Sequence, residues 1–462
     1  MTYERKRIRL GIAFIPIVFL IIVLALTIGV FKQQPHIPLI SAAAVAACVA
    51  IFLKHPWKEI QEGMVNGITL AMSAILILMV VGMMIGTWIM GGVVPSMIYY
   101  GLKVLSPGIF LVATLIICSI VSLGTGSSWS TAGTVGVALV GVGQGLGVPV
   151  AMVAGAIISG AYFGDKMSPL SDTTNLAPAV AGTDLFSHIR HMVYTTGPGY
   201  IISIVLYGLL GTRFSGGGMK AENIEVILST IKSNFFIHPI LLLPPLLVIV
   251  MVVKKIPPLP ALLGGTALGG IFAMIAQSKP LAEVIQVAQS GYVSQSGVKM
   301  VDDLLTRGGL ESMMPTVALI ICALSFGGIM EKTGMLEVLA RALLNRVKRT
   351  GSLVAATLFS CIGLNAVASD QYIAIVVPGR MYKNAFDERG LHPKNLSRCL
   401  EDAGTLSSPL IPWNSCGAFM HATLGVNPLL YLPFAFLNLL TPLVSLFYGY
   451  TGITMEKIKE SD

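Results

Sequence analysis

Runs of about 20 apolar residues recur along this chain, each long enough to cross a hydrocarbon core of about 30 Å. No other feature restricts the fold so strongly. In hydrocarbon a backbone must satisfy its own hydrogen bonds, so each run reads as a helix. The 462 residues are 54% hydrophobic and 11% charged, against about 25% charged in a soluble domain. The sequence therefore specifies an all-α polytopic membrane protein. Clear spans are 11–31, 37–53, 68–90, 192–211, 236–253, 258–276, 312–329 and 429–448. The first follows Arg5, Lys6, Arg7 and Arg9, is too long for a signal-peptide core and precedes no cleavage site, so it stays as a span.

Two more crossings are interrupted, at 149–182 and 396–428. The first contains Gly-Asp-Lys-Met-Ser-Pro-Leu-Ser-Asp-Thr-Thr-Asn at 164–175, where hydrocarbon would otherwise be expected. The second contains Ser-Ser-Pro-Leu-Ile-Pro-Trp-Asn-Ser at 407–415. Pro169 removes a backbone donor, and such a break survives only inside protein or beside a wet cavity. Two further stretches, 107–146 and 352–379, turn at polar tips (124–131 and 363–370) and read as re-entrant hairpins with arms of half-crossing length.

The hairpins and breaks repeat. Gly124 precedes the Ser168-Pro169-Leu170 triplet by 44 residues, and Gly363 precedes Ser408-Pro409-Leu410 by 45. Each half then holds five crossings and one hairpin, and an odd number makes the second half enter from the opposite side. The expected organisation is two inverted-topology repeats, 1–230 and 231–462, each with a re-entrant hairpin and a broken helix. Lysine and arginine set the orientation: 54–62, Lys254, Lys255 and the basic residues from Lys332 to Arg398 fall inside, as do both termini, while 212–235 and 277–311 fall outside. The net charge of +8 thus reports orientation, not nucleic-acid binding.

Ionisable groups at membrane depth mark pathways for ions or protons. Sodium takes oxygen ligands, and 164–175 offers carboxylate, hydroxyl, amide and unwound carbonyl together. Asp165 and Asp172 are the leading candidates for holding Na+, with Ser168, Thr173 and Asn175 beside them. A proton and Na+ competing for one carboxylate suffice for exchange. The bland reading pairs either aspartate with Lys166 or makes it a half-helix cap. Asp370, at the second tip, aligns with Thr131 of the first, and its bland reading is a cap on the arm from Gln371. Ser127, Ser130, Asn365, Asn414 and Ser415 are further lining candidates. Glu401 and Asp402 are weaker, since Asp402 follows Arg398 by four residues and suits a helix-face ion pair. His188 and His191 fall in a short inside loop and read as solvated. The six cysteines include no Cys-x-x-Cys pair, so they read as buried small hydrophobes.

Other classes fail on their motifs. Gly160–Asp165 approaches the Gly-x-Gly-Asp of intramembrane aspartyl proteases, but Tyr162 stands where glycine is required. There is no His-Glu-x-x-His and no Walker-type phosphate loop, so neither a zinc protease nor an ATP-driven pump is expected. The reading is a secondary transporter, not an enzyme, with no cofactor beyond its transported ions.

The run from Gly164 to Asn175, with Gly124-Thr125-Gly126-Ser127-Ser128 before it, resembles the NhaC-type Na+/H+ antiporters over nearly the full length. The resemblance implies a bacterial cell-membrane antiporter that expels Na+ in exchange for H+. It also implies a scaffold, a mobile hairpin-bearing domain and a homodimer. The same family contains malate-2H+/Na+-lactate exchangers, the alternative reading. A dicarboxylate calls for a cationic anchor, and Lys166 is the only lysine or arginine inside either break, which favours ions alone.

Overall fold

The computed structural model describes residues 8–31, 33–214, 221–344 and 347–458. Arg5, Lys6, Arg7 and Arg346 of the inside bias, and the two termini, lie outside the described residues. The described residues form helices joined by turns and short loops, with two isolated β-bridges. Its first half comprises α1 (Leu10–Leu24, prolonged as a π-helix to Val30), α2 (His36–Phe52), α3 (Trp57–Leu70), α4 (Met72–Met90), α5 (Val93–Val104), α6 (Pro107–Thr125), α7 (Ser128–Thr131), α8 (Val137–Gly145), α9 (Val150–Met167), α10 (Asp172–Ala181) and α11 (Leu185–Thr212). There follow α12 (Ala221–Asn234), α13 (Leu243–Val253), α14 (Pro258–Ile275), α15 (Leu281–Ser290), α16 (Lys299–Leu305), α17 (Leu310–Lys332) and α18 (Met335–Leu344). The last are α19 (Thr350–Val367), α20 (Gln371–Asp387), α21 (Pro393–Leu400), α22 (Ser415–Leu424), α23 (Pro428–Tyr431) and α24 (Phe436–Thr451).

Seven of these helices are long and apolar enough to cross a membrane, and nine crossings result if the two strongly bent pairs each count as one. This is a multi-pass membrane protein. The helices are interrupted within both 149–182 and 396–428: α9 stops at Met167 and α10 resumes at Asp172, while α21 and a π-helical stretch give way before α22 starts at Ser415. Several boundaries differ. The span expected at 68–90 begins at Met72, after a separate α3 that ends at Leu70. The one expected at 236–253 keeps only 11 α-helical residues, behind a 97° bend from α12. The one expected at 429–448 is bent by 61° before α24. The first hairpin arms are also longer than half-crossings: α6 has 19 residues and α19 has 18, enough to reach across by themselves. The regions expected as loops at 212–235 and 277–311 hold α12, α15 and α16, and they meet at one end of the molecule, where Asn234 and Phe235 line a crevice with residues of 277–296.

Glycines fix how the helices lie. A Cβ on Gly160 or Gly164 would strike the backbone of α6 at Leu115 and at Ser122–Leu123 respectively, so α6 and α9 run parallel in close contact. Gly211 sits against Gly108, which places the start of α6 beside the end of α11. Phe434, just before α24, and Leu437 at its start meet Gly155 and Ser159, whereas Gly449 and Tyr450 at its end meet Val354 and Gly351 of α19. Hence α6 and α19 start from opposite ends of the molecule and run toward each other. On the remaining flank, Gly63 and Gly67 of α3 pack on Gly328 of α17, and the neighbouring Gly327 abuts Ala368 at the second tip.

Candidate functional site

The two tips meet at a cavity of about 440 Å³. Each tip turns through a left-handed residue, Gly126 (φ 68°) in the first and Ser369 (φ 60°) in the second. Glycine adopts that conformation freely, while a serine there stores strain, as residues at functional turns often do. Each tip also rests on one break. A Cβ on Gly126 would come within 2.7 Å of the Leu170 backbone, and the Ser415 N–H donates to the Ser369 carbonyl at 3.0 Å. Trp129 of the first tip stacks on Phe419 of α22 at 4.0 Å between ring centroids, joining the two halves.

Asp165, Asp172 and Asp370 all line this cavity, together with Ser127, Thr173 and Ser415. Asp165, in the last turn of α9, is 7% exposed and accepts from the Ser128 and Ser171 hydroxyls, each at 2.6 Å. Asp172 opens α10 and is exposed to the cavity, with the Tyr372 hydroxyl at 3.5 Å. Asp370 caps α20, its Oδ1 accepting from the N–H groups of Tyr372 (2.8 Å) and Ile373 (3.1 Å). Its capping role and its place on the cavity wall coexist. Among the described residues that line it, Lys255 is the one basic side chain, and it is exposed, so the cavity reaches the surface at the turn between α13 and α14.

The other candidates serve the backbone. Asn175 donates to the carbonyls of Pro169 (2.9 Å) and Ser171 (2.7 Å), and Thr174 donates to those of Asp165 and Lys166, both at 2.8 Å. Ser168 accepts from the Leu170 N–H at 3.2 Å. At the second break, Asn365 donates to the Gly404 carbonyl at 2.6 Å, Asn438 to that of Leu406 at 2.9 Å, and Asn414 to Asn365 while capping α22. None of Ser168, Asn175, Asn365 and Asn414 lines the cavity, and neither do Ser130 and Asp402. An unwound segment frees carbonyls that must find donors away from water. Polar residues near a break are therefore more numerous than the groups facing its cavity.

Two expectations are corrected. Asp402 does not pair with Arg398, whose guanidinium bonds the Thr454 hydroxyl at 2.9 Å; Asp402 bonds Lys166 instead, from the other break. That also frees Asp165 and Asp172 from Lys166. His188 and His191 are not in a solvated loop. They belong to α11 and are buried against Ser397 (2.7 Å) and Asn395 (3.2 Å), because α11 begins seven residues before the expected 192. Among the lining residues, Gln371, Tyr372 and Cys416 escaped the sequence reading. Ser128 was visible only as part of the polar first tip. Their signal is adjacency to Asp370 and Ser415, with nothing in the residue types to single them out.

A comparison with known families matches residues 160–453 to the Na+/H+ antiporter family. The chain belongs to that family. It is 40% identical over 453 residues to the Na(+)/H(+) antiporter NhaC of Alkalihalophilus pseudofirmus, covering 98% of both chains. It is 39% identical to the malate-2H(+)/Na(+)-lactate antiporter of Bacillus subtilis, over 97% of this chain and 96% of that one. It is 38% identical to the arginine/ornithine antiporter ArcD of Halobacterium salinarum, over 97% and 93%. Relatives with differently named substrates stand at nearly equal identity, so the substrate has to be argued from the site.

Proposed function

We propose that this protein is a secondary active antiporter that exchanges Na+ for H+ across the bacterial cell membrane by alternating access. The observation that carries the reading is the charge of the cavity: three aspartates from three segments line it, opposed by the single Lys255 at its exposed edge. Such a cavity attracts a small cation and repels a dianion. Half-helix N-termini also attract anions, but α10 and α20 already meet aspartates of this chain there, Asp172 in the first turn and Asp370 as the cap. These features favour the Na+/H+ reading over malate–lactate exchange, and the 40% identical NhaC relative agrees with it.

In this reading Na+ binds Asp165 and Asp172, with Asp370 and the Ser127, Thr173 and Ser415 hydroxyls completing its surroundings. A proton taking the place of Na+ on a carboxylate resets the site for return. The halves 1–230 and 231–462 act as inverted repeats, supported by first hairpin arms, α6 and α19, that start from opposite ends of the molecule. Both termini are cytoplasmic, and the described state is open inward, since the cavity surfaces at Lys255 on the side where basic residues concentrate.

Proteoliposomes with an imposed pH gradient test the proposal. Na+ alone should drive proton flux, with no requirement for malate or lactate, and the apparent KM for Na+ should rise as pH falls because protons compete for the same groups. Asp165→Asn and Asp172→Asn should each abolish exchange while the protein still inserts. Flux retained in both variants would place the site elsewhere.

A further inference from the structure

The charge of the cavity sets a problem that its shape does not solve. Asp165, Asp172 and Asp370 line a space of about 440 Å³ from three segments. Among the described residues, no three acidic side chains stand close enough to ligate one ion together. A cation in this cavity is therefore held by the summed field of the carboxylates more than by a fitted cage. Such a field acts in proportion to charge, so it draws a divalent cation twice as strongly as Na+. Ca2+ takes carboxylate, hydroxyl and carbonyl oxygens, the ligand types that this cavity offers to Na+. Nothing in the oxygen ligands themselves turns it away.

The opposing charge stands at the mouth. The exposed lining residues fall at three places: the join of α3 and α4, the first break, and the turn between α13 and α14. Asp172 and Lys255 are the charged ones among them. Lys255 forms no ion pair among the described residues, so its charge is left to act on what enters. Its backbone is held firmly. The N–H groups of Lys255 and Ile256 donate to the carbonyls of Val252 (2.8 Å) and Met251 (3.0 Å), closing the end of α13. Pro257 and Pro258 then fix the chain into α14. The flexible lysine stem thus swings about a root that stays at the rim.

We propose that Lys255 is a valence filter for the transport site, its ammonium holding back divalent cations, Ca2+ foremost, while admitting Na+. This rests on the antiport and open-inward readings above. A cation in the cavity meets one unit of repulsion from the ammonium if it is Na+ and two if it is Ca2+. At about 10 Å this lowers Na+ affinity about two-fold in a water-like mouth, and more than about ten-fold at the lower dielectric of a protein surface. At any separation the factor for Ca2+ is the square of the factor for Na+.

Inside-out membrane vesicles present the cytoplasmic mouth to added ions. Na+-dependent proton flux under an imposed pH gradient is titrated with Na+ at several Ca2+ concentrations, at low ionic strength where surface charge is least screened. Position 255 has a left-handed φ of 65°, which asparagine tolerates, so Lys255→Asn removes the charge and leaves the turn. Ca2+ should compete with Na+. In Lys255→Asn the KM for Na+ should fall at least about two-fold, and the inhibition constant for Ca2+ by the square of that factor. Lys255→Arg keeps the charge and should keep the ratio of the two constants found in the intact protein. An unchanged ratio in Lys255→Asn, a shifted one in Lys255→Arg, or Ca2+ inhibition that Na+ does not relieve would each overturn the proposal. If Lys255→Asn does not fold, Lys255→Gly takes its place, since glycine adopts this φ freely. The same change of ratio is expected there, and an unchanged ratio overturns the proposal. Absence of Na+-dependent proton flux in the intact protein would refute the antiport reading itself, and the filter with it.

Discussion

Asp370 combines two duties that one substitution separates. It caps α20 and also presents its carboxylate to the cavity. Asparagine is as good an N-cap as aspartate, so Asp370→Asn should keep the melting temperature while raising the KM for Na+ or abolishing exchange. Asp370→Ala should lose the cap as well, at about 0.5–2 kcal/mol of stability. Transport titrated against Na+ alongside thermal unfolding checks both. A normal KM in Asp370→Asn would reduce the residue to a cap.

Among the elements, the most exacting join is the Lys166–Asp402 bond, which ties α9 to the π-helical stretch across 236 residues of sequence. Both side chains are 0% exposed. Removing one member of such a pair leaves the other uncompensated, typically at about 3–5 kcal/mol, whereas replacing both by apolar groups is often neutral. Lys166→Met should therefore lower the unfolding temperature in detergent sharply, and Lys166→Met with Asp402→Leu should recover most of it. A double variant no more stable than the single one would show that the pair is not coupled. The breaks use the same economy: Asn175, Asn365 and Asn438 bond freed carbonyls, so unwound backbone can persist at membrane depth.

For the molecule as a whole, α17 links α3 of the first half to the second tip. Its Gly328 receives α3 and its Gly327 receives the second tip at Ala368, each approach too close for a Cβ. Small residues of this kind let backbones touch where hydrocarbon supplies no hydrophobic drive between helices. The proposed orientation is tested with single cysteines in a cysteine-free background, needed because Cys48 is exposed. Glu225→Cys should react with an impermeant reagent only from outside and Lys255→Cys only from inside. Labelling at 225 only from the cytoplasmic side would defeat the inverted-repeat proposal.

The sequence by itself determined the class and the places where regular structure fails. Apolar run length dictates helices that cross, and Pro169 with its polar neighbours dictates a break that falls between Met167 and Asp172. Asp165, Asp172 and Asp370 were legible because a carboxylate among apolar residues has few structural reasons to be there. Tertiary structure alone decided which polar groups face the cavity. Asn175 and Thr173 sit two residues apart in one segment, yet one bonds the carbonyls of the break and the other lines the cavity. Which way a side chain points depends on the path of the unwound backbone, and a local pattern does not encode that path. The partner of Lys166 and the burial of His188 were equally beyond reach. Both depend on α11 and the second break folding against the first, contacts more than 200 residues apart that only the closed three-dimensional arrangement specifies.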